Sequence, residues 1–272
     1  MHEPYPDLDE LFASISEAGL RLSSISASEG AAGNISLAIG WQLEVRRRFP
    51  FEKEFSLPEP IPALIGKQVL VTGSGRRLRD IHLDPVANLG VVAIAEDGQR
   101  AHLYTSPNCL FERVTSEFNS HLAVHADQIA RTGTNFHALI HAQPPHLVYL
   151  SHIPAYHDQD MLNRHLLRWE PETIVELPEG VGVIPFLLPG SLSLMQANVT
   201  QLREHQLVLW SKHGVMARSA HSVTRAADLI EYVETAARYE YMNLVAGSRA
   251  EGLTQDELHA IVQAFHISTL LL

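Results

Sequence analysis

The sequence predicts an α/β fold, a single three-layer α/β/α domain over residues 1–272 with a central mixed, largely antiparallel sheet. Three observations lead there. Segments with period-2 patterning, such as Gln68–Thr72 and Phe136–Gln143, are interleaved with long period-3.6 segments, such as Leu8–Ser24 and Val223–Val245. Glu96-Asp97-Gly98 lies between two apolar runs and signals a hairpin, hence antiparallel pairing. No repeat, low-complexity tract or linker divides the 272 residues, a length that can bury a substantial core.

Along the chain, Leu8, Leu11, Phe12, Ile15, Ala18 and Leu22 form one apolar stripe and predict a first helix. The turn Gly30-Ala31-Ala32-Gly33-Asn34 leads into a short strand, Ile35–Ala38. Residues 48–63, rich in proline and charge, read as a surface excursion. Gln68–Thr72 is a strand stopped by Gly73-Ser74-Gly75, and Leu89–Ile94 and Ala101–Tyr104 are the hairpin arms. Ser116 to about Ala130 is helical with Thr115 or Ser116 as N-cap, and Phe136–Gln143 is the next strand. A helix over 159–168, a strand over Gly182–Phe186, a helix over Ser191–Glu204 and a strand over Gln206–Trp210 follow. Helices over Val223–Val245 and Asp256–Phe265 complete the chain.

Composition narrows the function. A net charge of −11 argues against generic binding to nucleic acid or to an anionic membrane. An anionic substrate therefore needs a local device, either backbone N–H groups or a few arginines. The single cysteine, Cys109, rules out an intrachain disulfide and suits a reducing compartment. No signal-peptide pattern opens the sequence, and no apolar run approaches the roughly 20 residues of a membrane span. The expectation is a cytoplasmic enzyme.

Chemistry concentrates at three points. On the strand Phe136–Gln143, alternation puts His137, Leu139, His141 and Gln143 on one face and Phe136, Ala138, Ile140 and Ala142 on the other, which should pack on helices. His141 at one strand end and His213 after another apolar strand are paired candidates for metal ligation, against the alternative of half-buried histidines bonded to backbone. Glu117, in Thr115-Ser116-Glu117, is either a first-turn acid favoured by the helix dipole or a carboxylate facing a metal. Thr72-Gly73-Ser74-Gly75 could cradle a phosphate, but it matches neither the Walker pattern nor the dinucleotide fingerprint, and a turn explains it equally. His121 and His125 lack the glutamate of the zincin pattern and read as core or surface histidines. Gly73-Ser74-Gly75 is not a nucleophile elbow, and Arg46-Arg47-Arg48 reads as a solvated face or subunit contact.

Taken in order, Gly33-Asn34-Ile35-Ser36, Val71-Thr72-Gly73-Ser74-Gly75, Asp84-Pro85-Val86-Ala87-Asn88-Leu89-Gly90, Thr115-Ser116-Glu117, Leu177-Pro178-Glu179-Gly180 and Trp210-Ser211-Lys212-His213-Gly214-Val215 resemble the class II aldolase and adducin superfamily nearly end to end. Within it they look most like the branch acting on L-rhamnulose 1-phosphate. The resemblance implies reversible cleavage to dihydroxyacetone phosphate and L-lactaldehyde through a zinc-stabilised enediolate, with His141 and His213 as zinc ligands and Glu117 moving protons, its pKa raised by desolvation. It assigns Glu172 to the aldehyde end, and Asn34, Ser74, Gly75, Thr115 and Ser116 to the substrate phosphate. It further implies a homotetramer with sites near subunit contacts. One departure stands out: where the family reads His-x-His, this chain has His141-Ala142-Gln143, so Gln143, a water, or His146 from the following turn must complete the metal shell. Other readings within the superfamily are a ketose-phosphate aldolase or 4-epimerase of different substrate, or a non-catalytic adducin-head-like module.

Overall fold

The computed structural model describes residue 1, residues 3–269 and residues 271–272. Its strands are β1 (Asn34–Ile39), β2 (Phe51–Ser56), β3 (Gln68–Thr72), β4 (Leu89–Ile94), β5 (Arg100–Thr105), β6 (Phe136–Ala142), β7 (Val181–Ile184), β8 (Leu207–Trp210) and β9 (Gly214–Ser219). They form one open sheet in the order β2-β5-β4-β3-β1-β6-β9-β8-β7, in which only the β7–β8 pair is parallel. The helices are α1 (Leu8–Ser24), α2 (Pro85–Asn88), α3 (Phe118–Thr132), α4 (Pro145–Leu150), α5 (Gln159–Leu167), α6 (Pro171–Glu176), α7 (Leu192–Glu204), α8 (Val223–Val245) and α9 (Gln255–Ala264). The predicted α/β class with a mixed, largely antiparallel sheet is the observed one.

Both faces of the central strands are covered, which explains why β1 and β6 are buried at every residue. Ile35, Leu37 and Ile39 of β1 and Phe136, Ala138, Ile140 and Ala142 of β6 join the main core with residues of α1 and α8. This is the helix-packed apolar face that alternation predicted. On the other face Leu139 packs with Val124 of α3, Leu194 of α7 and Trp210 of β8. The polar residues of β1 and β6 on that side, Asn34, Ser36, His137 and His141, are buried as well. Buried polar groups must find partners, and here they find one another and α3.

Several elements escaped sequence reasoning. Residues 48–63 contain β2, an edge strand paired only with β5 and exposed along most of its length. Its Glu52-Lys53-Glu54 charges are typical of a blunted edge and erase the apolar alternation that marks buried strands. β9 also went unread, because it follows β8 after only three residues. The short proline-initiated helices α2, α4 and α6 lie below the length at which periodicity is informative. α4 has no local cap. Its first N–H groups, at His146 and Leu147, donate to the Glu234 carboxylate of α8 at 3.0 and 3.1 Å. No helix among the described residues is long and apolar enough to cross a membrane.

Candidate metal centre and active site

Four adjacent central strands, β3, β1, β6 and β9, bring the polar residues together at one end of the sheet. Antiparallel pairing sets Asn34 beside His141. The turn after β8 delivers His213: Lys212 adopts a left-handed backbone at φ 65°, and its N–H donates to the Ser151 hydroxyl at 2.7 Å. Glu117 occupies the N-cap position of α3 but does not cap it. The expectation that Thr115 or Ser116 caps this helix is corrected accordingly: the helix begins at Phe118, with Glu117 at the N-cap position, and the Glu117 carboxylate turns aside to accept from the Asn34 amide at 2.8 Å.

Glu117, His141 and His213 each offer one ligand atom, all within 4.8 Å of one another. His141 Nε2 lies 3.5 Å from Glu117 Oε2 and His213 Nε2 lies 3.7 Å from Oε1. These separations are long for hydrogen bonds but close to the roughly 3.3 Å edge of a tetrahedral zinc shell. The donor chemistry also fits a metal. His141 Nδ1 donates to the Val215 carbonyl at 2.9 Å, which leaves Nε2 as the bare nitrogen facing the carboxylate. Burial holds His213 below its ordinary pKa, and nearby His141 adds to this, so His213 is neutral as a ligand must be. Trp210 stacks on the His141 ring at 4.5 Å and lies 5.1 Å from that of His213, fixing both. Its own N–H donates to Asn198 Oδ1 at 2.6 Å.

A cleft of about 250 Å³ opens onto this group, lined by Asn34, Ser74, Gly75, Thr115, Ser116, Glu117, His141, Gln143 and His213 among others. The structure thus brings together every site residue singled out in the sequence except two. Glu172 sits exposed on α6, outside the residues lining this cleft. His146 does not swing back: its Nδ1 is held by Glu234 at 2.6 Å and its ring lies against Tyr241. The candidate route through His146 to a third metal ligand is therefore corrected. Gln143 lines the cleft, with Cγ beside Gly214.

Two further expectations change. Burial does push the Glu117 carboxyl upward, but His141, the Asn34 N–H, His121 and His213 outweigh it and hold the group below its ordinary value. In the glycine turn, the Ser74 N–H donates to the Arg113 carbonyl and the Arg76 N–H to the Gly73 carbonyl, so those two N–H groups are spent within the protein. Arg76 lies in the cleft lining and is its only lysine or arginine among the described residues. Its Nε donates to Asn88 Oδ1 at 2.9 Å, which steadies the guanidinium. Sequence reasoning missed both Arg76 and Trp210. The adjacency of Arg76 to the glycine turn in an acidic chain was the available signal.

Comparison with known proteins accords with this geometry. The family model described as the class II aldolase and adducin N-terminal domain matches residues 13–241. The chain belongs to this family. It is an enzyme of the carbon–carbon lyase kind. Rhamnulose-1-phosphate aldolase of Klebsiella pneumoniae subsp. pneumoniae is 33% identical over 217 residues, covering 79% of this chain and 77% of that protein. The enzyme of the same name from an Enterobacter species is 32% identical over 249 residues, covering 88% and 87%. Among solved structures, a sugar-phosphate aldolase from Thermotoga maritima is similar with TM-score 0.75 and 26% identity, covering 89% of this chain and 98% of that one.

Proposed function

We propose that this class II aldolase is a zinc-using, single-domain enzyme that cleaves L-rhamnulose 1-phosphate to dihydroxyacetone phosphate and L-lactaldehyde, and runs the reverse addition. The observation that carries the reading is the placement of the Glu117, His141 and His213 donor group in one cleft with Ser74, Gly75, Thr115, Ser116 and Arg76. The curated relatives named for this substrate, matched over most of the chain, supply the choice of sugar.

His141 and His213 would hold the metal, with Gln143 the neighbouring side chain available to the third position. A bound divalent cation supplies Lewis acidity toward the oxygens of the ketose. The protein's own groups do the rest. The Ser74 and Ser116 hydroxyls, the Gly75 N–H and Arg76 hold the phosphate, and Asn34 and Thr115 lie alongside them. Glu117, oriented by Asn34, carries the proton at the carbon that becomes the nucleophile. Burial of Glu117 and His141 keeps bulk water from that carbon. Gln143 and His213 also line a second, open cleft with Val148, Tyr149 and His152 of the α4 region, and the aldehyde carbons extend there. Glu172 stands outside the cleft of its own chain, so a role at the aldehyde end would need a second copy of the chain, which the proposed cytoplasmic homotetramer would supply.

The test is release of dihydroxyacetone phosphate from L-rhamnulose 1-phosphate, with chelator and with zinc restored. Cleavage that chelator abolishes, zinc restores and Glu117→Gln removes is the expected result. Absence of cleavage at saturating zinc would assign the site to a different substrate.

A further inference from the structure

Beneath Glu117, on the face of the sheet covered by α3, runs a line of buried polar groups of which only Asn34 has a role in the mechanism above. Asn34 Nδ2 donates to Glu117 Oε2 at 2.8 Å. Asn34 Oδ1 meets His121 Nε2 at 2.5 Å, and His121 Nδ1 meets the Ser36 hydroxyl at 2.6 Å. The same hydroxyl meets His125 Nε2 at 2.7 Å, and His125 Nδ1 meets His137 Nδ1 at 2.8 Å. Every member is buried. The line ends at His137 Nε2, which has no partner among the described residues.

The hydrogen positions follow from the end that is fixed. A carboxylate only accepts, so Asn34 must present its amide nitrogen to Glu117 and its oxygen to His121. His121 then carries its hydrogen on Nε2 and accepts at Nδ1, from the one hydrogen of Ser36. With that hydrogen used, the Ser36 oxygen accepts from His125 Nε2–H, and His125 Nδ1 accepts from His137 Nδ1–H. The opposite order fails at the first step, since it would place the Asn34 oxygen 2.8 Å from a carboxylate oxygen. Burial keeps all three rings neutral, lowering His121 to about 4, His137 to about 3, and His125 well below its ordinary value. The whole line therefore donates one way, and its one open valence is an acceptor at the far end.

We propose that His137, His125, Ser36, His121 and Asn34 are a unidirectional hydrogen-bond relay whose function is to position Glu117, locking Oε2 onto Asn34 and leaving Oε1 directed at the metal and substrate. Successive bonds of the same sense polarise one another. The relay thus sets both the orientation of the Asn34 amide and the strength of its hold on the carboxylate. His125 and His137 act through other groups and are positioning residues. The proposal rests on the role given to Glu117 above.

Its first test needs no substrate. Nitrogen-15 NMR of histidine-labelled protein should show neutral Nε2–H tautomers at His121 and His125 and a neutral Nδ1–H tautomer at His137. Any one of the three reversed overturns the relay whatever the enzyme's substrate, whereas a failure of cleavage with these tautomers intact tells only against the proposed reaction. The second test compares His125→Gln with His125→Leu. Glutamine can donate to Ser36 and accept from His137 and so preserves the sense of the line; leucine fills the space and breaks it. His125→Leu is expected to lose on the order of 10-fold or more in kcat, with KM little changed and zinc content retained, and His125→Gln to keep most of that rate. Equal kcat in the two folded variants would reduce the line to packing.

Discussion

Gly214→Ala tests whether the backbone, not only the ligand identity, builds the metal centre. Gly214 opens β9 directly beneath His141. A Cβ added there would stand 2.4 Å from the Ala142 carbonyl oxygen, 2.8 Å from His141 Cε1 and 3.2 Å from Gln143 Cγ. Ordinary contact needs 3.5 Å or so, hence β9 must retreat from β6 by about 1 Å. Neither the backbone oxygen nor the ring can absorb this easily, because His141 is clamped between Trp210 and its bond to Val215, the next residue along β9. The retreat carries the Val215 carbonyl with it and frees the His141 ring.

Overpacking of this kind costs about 1–3 kcal/mol of stability, and loss of a ligand's orienting bond costs about 10–100-fold in metal affinity. Zinc affinity read by competition with a chromogenic chelator, alongside urea unfolding, separates the two effects. Gly247→Ala serves as the control. Its φ is 80° with nothing within 4 Å of a new Cβ, so it should cost stability through backbone strain alone, about 1–2 kcal/mol, and leave zinc affinity unchanged. If Gly214→Ala binds zinc as tightly as the parent chain, the proposed clamping of His141 by β9 is wrong.

Gln143→His should raise zinc affinity by about 10-fold or more, since it replaces a weak amide donor with imidazole at a position already lining the cleft; the same competition assay showing no change would mean that residue 143 does not reach the metal. Arg76→Ala removes the charge proposed to hold the substrate phosphate and should raise KM about 10-fold with kcat little altered, and an unchanged KM would remove Arg76 from the phosphate site. At Glu240, burial pushes the carboxyl up, but hydrogen bonds from His165, Tyr156 and Arg168 prevail and hold it at about 2, below the ordinary 4.5. The folded state therefore binds this proton less readily than the unfolded one, so the contribution to stability is complete above pH 4.5 and fades as pH falls toward 2. Urea midpoints of Glu240→Gln should depend less steeply on pH in that window than those of the parent chain; parallel slopes would contradict the assignment.

The sequence disclosed what depends on pattern and withheld what depends on which of several partners a polar group chooses. Alternation along β6 placed His141 on the correct face, and the apolar run of β8 placed His213 after a strand end, because strand geometry leaves a side chain only two directions. No comparable rule governs Glu117. A carboxylate three residues into Thr115-Ser116-Glu117 can cap a helix or turn away, and the outcome depends on Asn34, which is 83 positions distant. The direction of its pKa was misjudged for the same reason: burial is legible in sequence, whereas three of the four groups that oppose it, His141, Asn34 and His213, come from distant parts of the chain. His121 and His125 were read as unremarkable core or surface residues, and they are indeed core residues; His121 reaches the site through Asn34, and His125 only through Ser36, a residue that periodicity would assign to simple burial.

β1 makes the separate parts of the site into one. It lies between β3, which leads into Gly73-Ser74-Gly75, and β6, which carries His141 one residue before its end, so its polar face borders both the glycine turn and the His141 side of the cleft. Adjacent strands are held about 4.8 Å apart by their hydrogen bonds, and the central position of these strands denies them the freedom of an edge. The distance between the Gly73-Ser74-Gly75 turn and His141 is therefore set by the sheet. On the opposite side of the metal ligands the cleft wall comes from α4, a short helix whose N-terminus is held by Glu234 of α8 and not by its own sequence. Evolutionary or engineered change in this enzyme thus has two unequal routes. Under the proposed function, alterations on β1, β3 or β6 should disturb phosphate, metal and base together, while alterations around Val148, Tyr149 and His152 should reshape only the end of the cleft assigned above to the aldehyde.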